Sequence, residues 1–105
     1  QGVFSCHLGL YLKARELLQK SLFIFRKLGV QEEIAFSLNH LGEVAYRLGK
    51  GMEGAKRLIE ESLAIRRGIG DRWGIARCLN NLGNVAWVLG EFGEAKQMHQ
   101  ESLAI

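Results

Sequence analysis

Leu38-Asn39-His40-Leu41-Gly42-Glu43-Val44-Ala45-Tyr46-Arg47-Leu48-Gly49 reappears 41 positions later as Leu79-Asn80-Asn81-Leu82-Gly83-Asn84-Val85-Ala86-Trp87-Val88-Leu89-Gly90. Glu61-Ser62-Leu63-Ala64-Ile65 returns as Glu101-Ser102-Leu103-Ala104-Ile105, one position short of that period. The missing residue is accounted for where Glu91-Phe92-Gly93-Glu94 replaces Lys50-Gly51-Met52-Glu53-Gly54. Ser21-Leu22-Phe23-Ile24 is a more diverged copy of the same segment. Self-similarity at a fixed period marks an array of stacked units, each unable to bury its apolar face alone.

Each unit reads as two helices. Ile34, Leu38, Leu41, Ala45 and Leu48 recur at threes and fours, so a first helix is predicted over about Glu32 to Leu48. Gly49 stops it, as glycine does just past a helix end. A second helix follows from about Met52 to Ile69, with Ala55, Leu58, Ile59, Ser62, Leu63 and Ile65 inward. Gly68 and Gly70 end that helix, and Asp71 is placed to cap the next. The pair then repeats from Arg72 to Leu89 and from Phe92 onward. At the front, Gly2 to Leu8 reads as the stump of a helix closed by Gly9, with a partner from Leu10 to Leu28. The expected organisation is one all-α solenoid of antiparallel helix pairs over 1–105. It divides into a partial repeat (1–29), a full repeat (30–70) and a third (71–105) cut short at its C-terminus.

Proline is absent, so nothing forces a break inside a helix, and the 13 glycines serve as punctuation. Gly42 and Gly83 lie mid-helix, where glycine costs about 1 kcal/mol relative to alanine. Close approach of the paired helix at Ala55 and Ala95 is the expected compensation. A leucine at position 42 is expected to overpack that seam.

Composition excludes several classes. An apolar fraction of 48% with 24% charged residues is that of a globular chain, not a disordered one. No run approaches the eighteen or so apolar residues of a membrane span. The formal charge of +3 is mild, and the basic residues alternate with glutamates between Lys50 and Arg67, as on a solvated helix face. A nucleic-acid surface more often shows a one-signed stripe, so that partner class is disfavoured. Cys6 and Cys78 are far apart and read as reduced thiols of a cytoplasmic protein. His7, His40 and His99 have no ligand spacing, so no metal and no cofactor is expected. The sequence places no nucleophile–base arrangement and no phosphate loop, which disfavours an enzyme.

These residues resemble the tetratricopeptide repeat family. Its pattern of W-x2-L-G-x2-Y followed by A-x3-F is met as Leu38-x2-Leu41-Gly42-x2-Ala45 with Ala55-x3-Ile59, and as Leu79-x2-Leu82-Gly83-x2-Ala86 with Ala95-x3-His99. Ala14-x3-Leu18 supplies the second half for the partial first repeat. Leu stands for Trp, Ala for Tyr, and the closing proline is missing. The period exceeds the family's usual length of about 34. The longer unit resembles repeats of bacterial signal-transduction ATPases and transcriptional regulators, and of kinesin-light-chain-like adaptors.

The resemblance implies a protein–protein interaction scaffold, part of a larger signalling regulator, that holds a peptide or partner domain in a concave groove lined by the first helices. The alternative is a sensor module of a bacterial transcriptional regulator taking a small-molecule or nucleic-acid ligand. The residues left for the groove are Phe36, Asn39, Glu43, Tyr46 and Arg47, then Arg77, Asn80, Asn84 and Trp87. Asn39/Glu43/Tyr46 and Asn80/Asn84/Trp87 are spaced four then three, so each set shares a helix face. Amides there could bond a peptide backbone, and the aromatics could anchor it. Equally, Tyr46 and Trp87 could be packing aromatics, and Asn39 and Asn80 could be tied to neighbouring structure. A carboxylate-clamp groove is not matched, because Glu43 stands in its middle. The array lacks polar capping helices at both ends, so self-association through them is expected.

Overall fold

The structure, a computed structural model, describes the backbone of residues 2–105 and the side chains from Gly9 onward. Five helices follow one another: α1 (Gly2–Leu28), α2 (Gln31–Leu48), α3 (Met52–Ile69), α4 (Arg72–Val88) and α5 (Phe92–Ala104). Among the described residues there is no strand. The molecule measures 40 × 37 × 19 Å, and its thin dimension is that of two helix layers of about 10 Å each. Each helix packs on the next, and α2 also touches α4 directly.

The helix stops follow backbone chemistry. Gly49 and Gly70 take the left-handed region, φ 70° and φ 81°, which a side chain disfavours. In that conformation the Gly70 and Asp71 N–H groups both turn back to the Arg66 carbonyl and satisfy the end of α3. Asp71 then caps α4, its Oδ1 accepting from the Gly74 N–H at 3.0 Å. Gly68, read from sequence as part of the stop, lies inside α3, and α4 ends one residue before Leu89.

One boundary differs more. α1 runs unbroken from Gly2 to Leu28, so Gly9 does not close a helix. Gly9 is not among the positive-φ glycines, and a Cβ there would meet nothing within 4 Å. A mid-helix glycine costs only about 1 kcal/mol, so glycine alone does not end a helix.

Two cores hold the stack. Leu22, Ile34, Leu38 and Leu41 form one, with Leu18, Phe25, Leu58 and Ile65 packed around it, so α2 is gripped between α1 and α3. Ala55, Ile59, Cys78, Leu82 and Val85 form the second, which joins α3 to α4 and takes in Met98 of α5. Gly42 sits tight against α3. A Cβ on it would strike Ile59 Cγ1 and come within 3.2 Å of the Ala55 carbonyl oxygen. Gly83 is also close to its paired helix, where a Cβ would first meet the His99 ring.

Polar links repeat with the same register. Ser62 Oγ donates to the Ala35 carbonyl at 2.6 Å, and Ser102 Oγ donates to the Ala76 carbonyl at 2.9 Å. Successive second helices are bridged by Arg26–Glu61 and Arg67–Glu101, exposed pairs worth at most about 1 kcal/mol each. Among the described residues no helix is long and apolar enough to cross a membrane.

Candidate interaction surface

The nine residues expected to face a partner fall into three groups. Phe36, Glu43 and Arg47 come together on the side of α2 that faces α1. Phe36 is 49% exposed and meets the His40 ring edge-on at 4.1 Å. Glu43 lies between two bases: His40 Nδ1 is 3.4 Å from its Oε1, and an Arg47 guanidinium nitrogen is 3.8 Å from its Oε2. With Tyr11, Leu17, Leu18 and Val44 these side chains line an open groove of about 630 Å³ between α1 and α2. His40, Tyr11 and Val44 were not expected there. The signal for His40 was its position 41 residues before Asn81, a residue that meets a neighbouring repeat.

Asn39 and Tyr46 point the other way. Asn39 is only 5% exposed, and its Oδ1 accepts from Asn81 Nδ2 at 3.1 Å, joining α2 to α4. Tyr46 is half-buried against the core of Ala55, Ile59, Cys78, Leu82 and Val85. These two side chains are occupied in the seam between repeats. Their 4-and-3 spacing with Glu43 is genuine, but α2 is flanked on both sides, and the line is divided between its flanks.

On α4 the equivalent set spreads out. Asn80 is exposed, and its Oδ1 faces His99 Nδ1 at 3.1 Å, so it leans toward the paired helix α5. Asn84 is half-buried. Trp87 is 63% exposed and rests edge-on against Phe92, ring centroids 4.6 Å apart. Both rings are exposed at the α4–α5 turn, and Val88, next in sequence to Trp87, is 52% exposed. Arg77 lies away from it, in a small cleft with Arg66, Asp71, Gly74 and Trp73. Trp73, the most exposed large hydrophobic among the described residues at 88%, carried no periodic signal, since its counterpart in the preceding unit is Glu32.

Few groups are electrostatically unusual. The Gly74 N–H, helped by the Arg66 guanidinium, holds the Asp71 carboxyl below its ordinary value. Lys56 is raised, first by its hydrogen bond to Glu91 at 3.1 Å. Burial pushes the Cys78 thiol up, which leaves it a poor nucleophile. Among the described residues, no three His, Cys, Asp or Glu side chains gather as metal ligands would.

A search of curated proteins finds no match to the chain. The tetratricopeptide repeat family matches residues 33–105, which is α2 through α5 and more than half of the sequence. The matched span holds both copies of the Leu-x-x-Leu-Gly helix and the helices they pair with. The chain belongs to the tetratricopeptide repeat family, whose members mediate protein–protein interaction.

Proposed function

We propose that the chain is a non-catalytic scaffold that holds a partner polypeptide on the exposed surface of its first helices, α2 and α4, within a larger regulatory protein. The observation that carries this reading is Trp87. It is a large aromatic side chain, mostly open to solvent and resting edge-on against Phe92. An aromatic ring fixed by a neighbour gives contact area at low entropy cost, which suits a binding anchor. Asn84 on the same helix adds a side chain able both to donate to and accept from a peptide backbone. On α2, Phe36, Glu43 and Arg47 supply a second mixed patch.

The pairing of Arg26, Lys56 and Arg67 with glutamates of neighbouring helices favours a protein partner over a nucleic acid. The buried, unpaired Cys78 fits a reducing, cytoplasmic compartment. The test is selection of binding peptides from a displayed random library against the full chain. Their footprint is then mapped by amide shifts in NMR. Shifts centred on Asn84, Trp87 and Val88 are expected. A footprint confined to α3 and the outer face of α5 would contradict the reading.

A further inference from the structure

Two clefts at the same end of successive repeats carry opposite charge. The first, about 420 Å³, lies where α2 begins and is lined by Phe25, Glu32, Glu33, Phe36 and Arg66. The second, about 430 Å³, lies where α4 begins and is lined by Arg66, Asp71, Trp73, Gly74 and Arg77. Four lining positions correspond at the 41-residue period: Phe25, Glu32, Glu33 and Phe36 become Arg66, Trp73, Gly74 and Arg77. Two carboxylates with two phenyl rings thus give way to two guanidinium groups with one indole. Positions that only pack keep their type through the repeat, as Leu41 and Leu82 or Val44 and Val85 do.

The first cleft also holds polar atoms that the fold leaves unsatisfied. Glu33 Oε2, an acceptor, and Arg66 Nε, a donor, are both buried without a hydrogen-bond partner. Arg66 does not pair with Glu33; its Nη1 donates to Asp71 Oδ2, and Asp71 offsets its charge. Among the described residues no ion pair involves Glu32 or Glu33. The positive end of α2 favours acids in its first turn. That accounts for the two charges, but not for a buried, unpartnered Oε2 in a cleft lined by two phenyl rings. Phe36 is 49% exposed, and Phe25 is half-buried. Rings beside carboxylates suit a long basic side chain, whose stem lies on apolar surface while its charged head finds the acceptor.

We propose that the cleft at the start of α2 receives a basic side chain, arginine or lysine, of the partner polypeptide. Its N–H groups donate to Glu33 Oε2, its stem lies along Phe25 and Phe36, and peptide carbonyls entering with it accept from Arg66. The neighbouring cleft, with Gly74 for Glu33 and Arg77 for Phe36, rejects the same side chain. Recognition of this kind presupposes that α2 and α4 face the partner, and it fixes one residue type that the partner carries.

The probe is the pentapeptide acetyl-Gly-Gly-Arg-Gly-Gly-amide, titrated into the isotope-labelled full chain and followed by amide shifts. Saturable shifts at Glu32, Glu33 and Phe36 are expected. The same peptide with glutamine for arginine should bind at least about tenfold more weakly, since a charged hydrogen bond is lost. Glu33→Gln keeps the side chain's shape; it should weaken the arginine peptide similarly and melt as the parent does. Glu32→Gln, at an exposed position, should cost less than about fivefold. Absence of saturable shifts at these amides with about 10 mM peptide would overturn the assignment. So would equal binding of the glutamine peptide, or of the arginine peptide to Glu33→Gln. A Glu33→Gln chain that melts well below the parent would also overturn it, because the carboxylate would then be engaged within the fold. Trp87 stands at the other end of α4, so Trp87→Ala tests the partner-facing reading without touching this cleft.

Discussion

Asn81 Nδ2 donates to Asn39 Oδ1 across 3.1 Å, and this one amide pair joins the first helices of successive repeats. Asn39 is buried while Asn81 keeps partial access to water. Loss of Asn81 therefore leaves a buried acceptor without its donor, at a cost of about 1–3 kcal/mol. A double-mutant cycle of Asn39→Ala and Asn81→Ala, read by urea unfolding, should give a coupling energy of about 0.5 kcal/mol or more. Strictly additive losses would show that the pair does not bind the repeats together.

The two mid-helix glycines should respond differently to the same substitution. Alanine gains about 1 kcal/mol of helix propensity at either site. At position 42 the new methyl meets Ile59, which is fully buried, so overpacking of about 1–3 kcal/mol should exceed that gain. At position 83 it meets the half-buried His99 ring, which can swing outward. Thermal melts should show Gly42→Ala destabilised, Gly42→Leu more so, and Gly83→Ala close to the parent. Equal shifts at both sites would contradict this difference.

Asp71 links a cap to acid sensitivity. Its carboxyl lies below the ordinary value of 3.8, first because it accepts from the Gly74 N–H and then because of Arg66. A group depressed on folding stabilises the fold above its unfolded value and loses that contribution as pH falls through the folded value. Asp71→Ala should cost about 1 kcal/mol at neutral pH. The penalty should fade as pH drops below 3.8. A penalty that stays constant into acid would assign the effect to something other than the ionised cap.

Much of the fold was legible because the repeat supplies its own comparison. Gly49, Gly70 and Gly90 mark helix ends in sequence because the chain there needs a positive φ. Gly9 carries the same letter but is not among the positive-φ glycines, and α1 continues through it. The interaction surface was less legible. Spacing places Asn39, Glu43 and Tyr46 on one side of α2, yet it cannot show that α4 covers one flank of that side and leaves the other open. Position 40 could not be read alone either, since its meaning comes from what Asn81 does one repeat later.

Binding at the exposed first-helix surface is tested most directly by titrating a selected peptide into the parent chain and into Trp87→Ala. Circular dichroism should report the same helix content for both. An affinity at least tenfold weaker for Trp87→Ala, about 1.4 kcal/mol, is the expected result. Equal affinity would remove Trp87 as the anchor and contradict the proposed function.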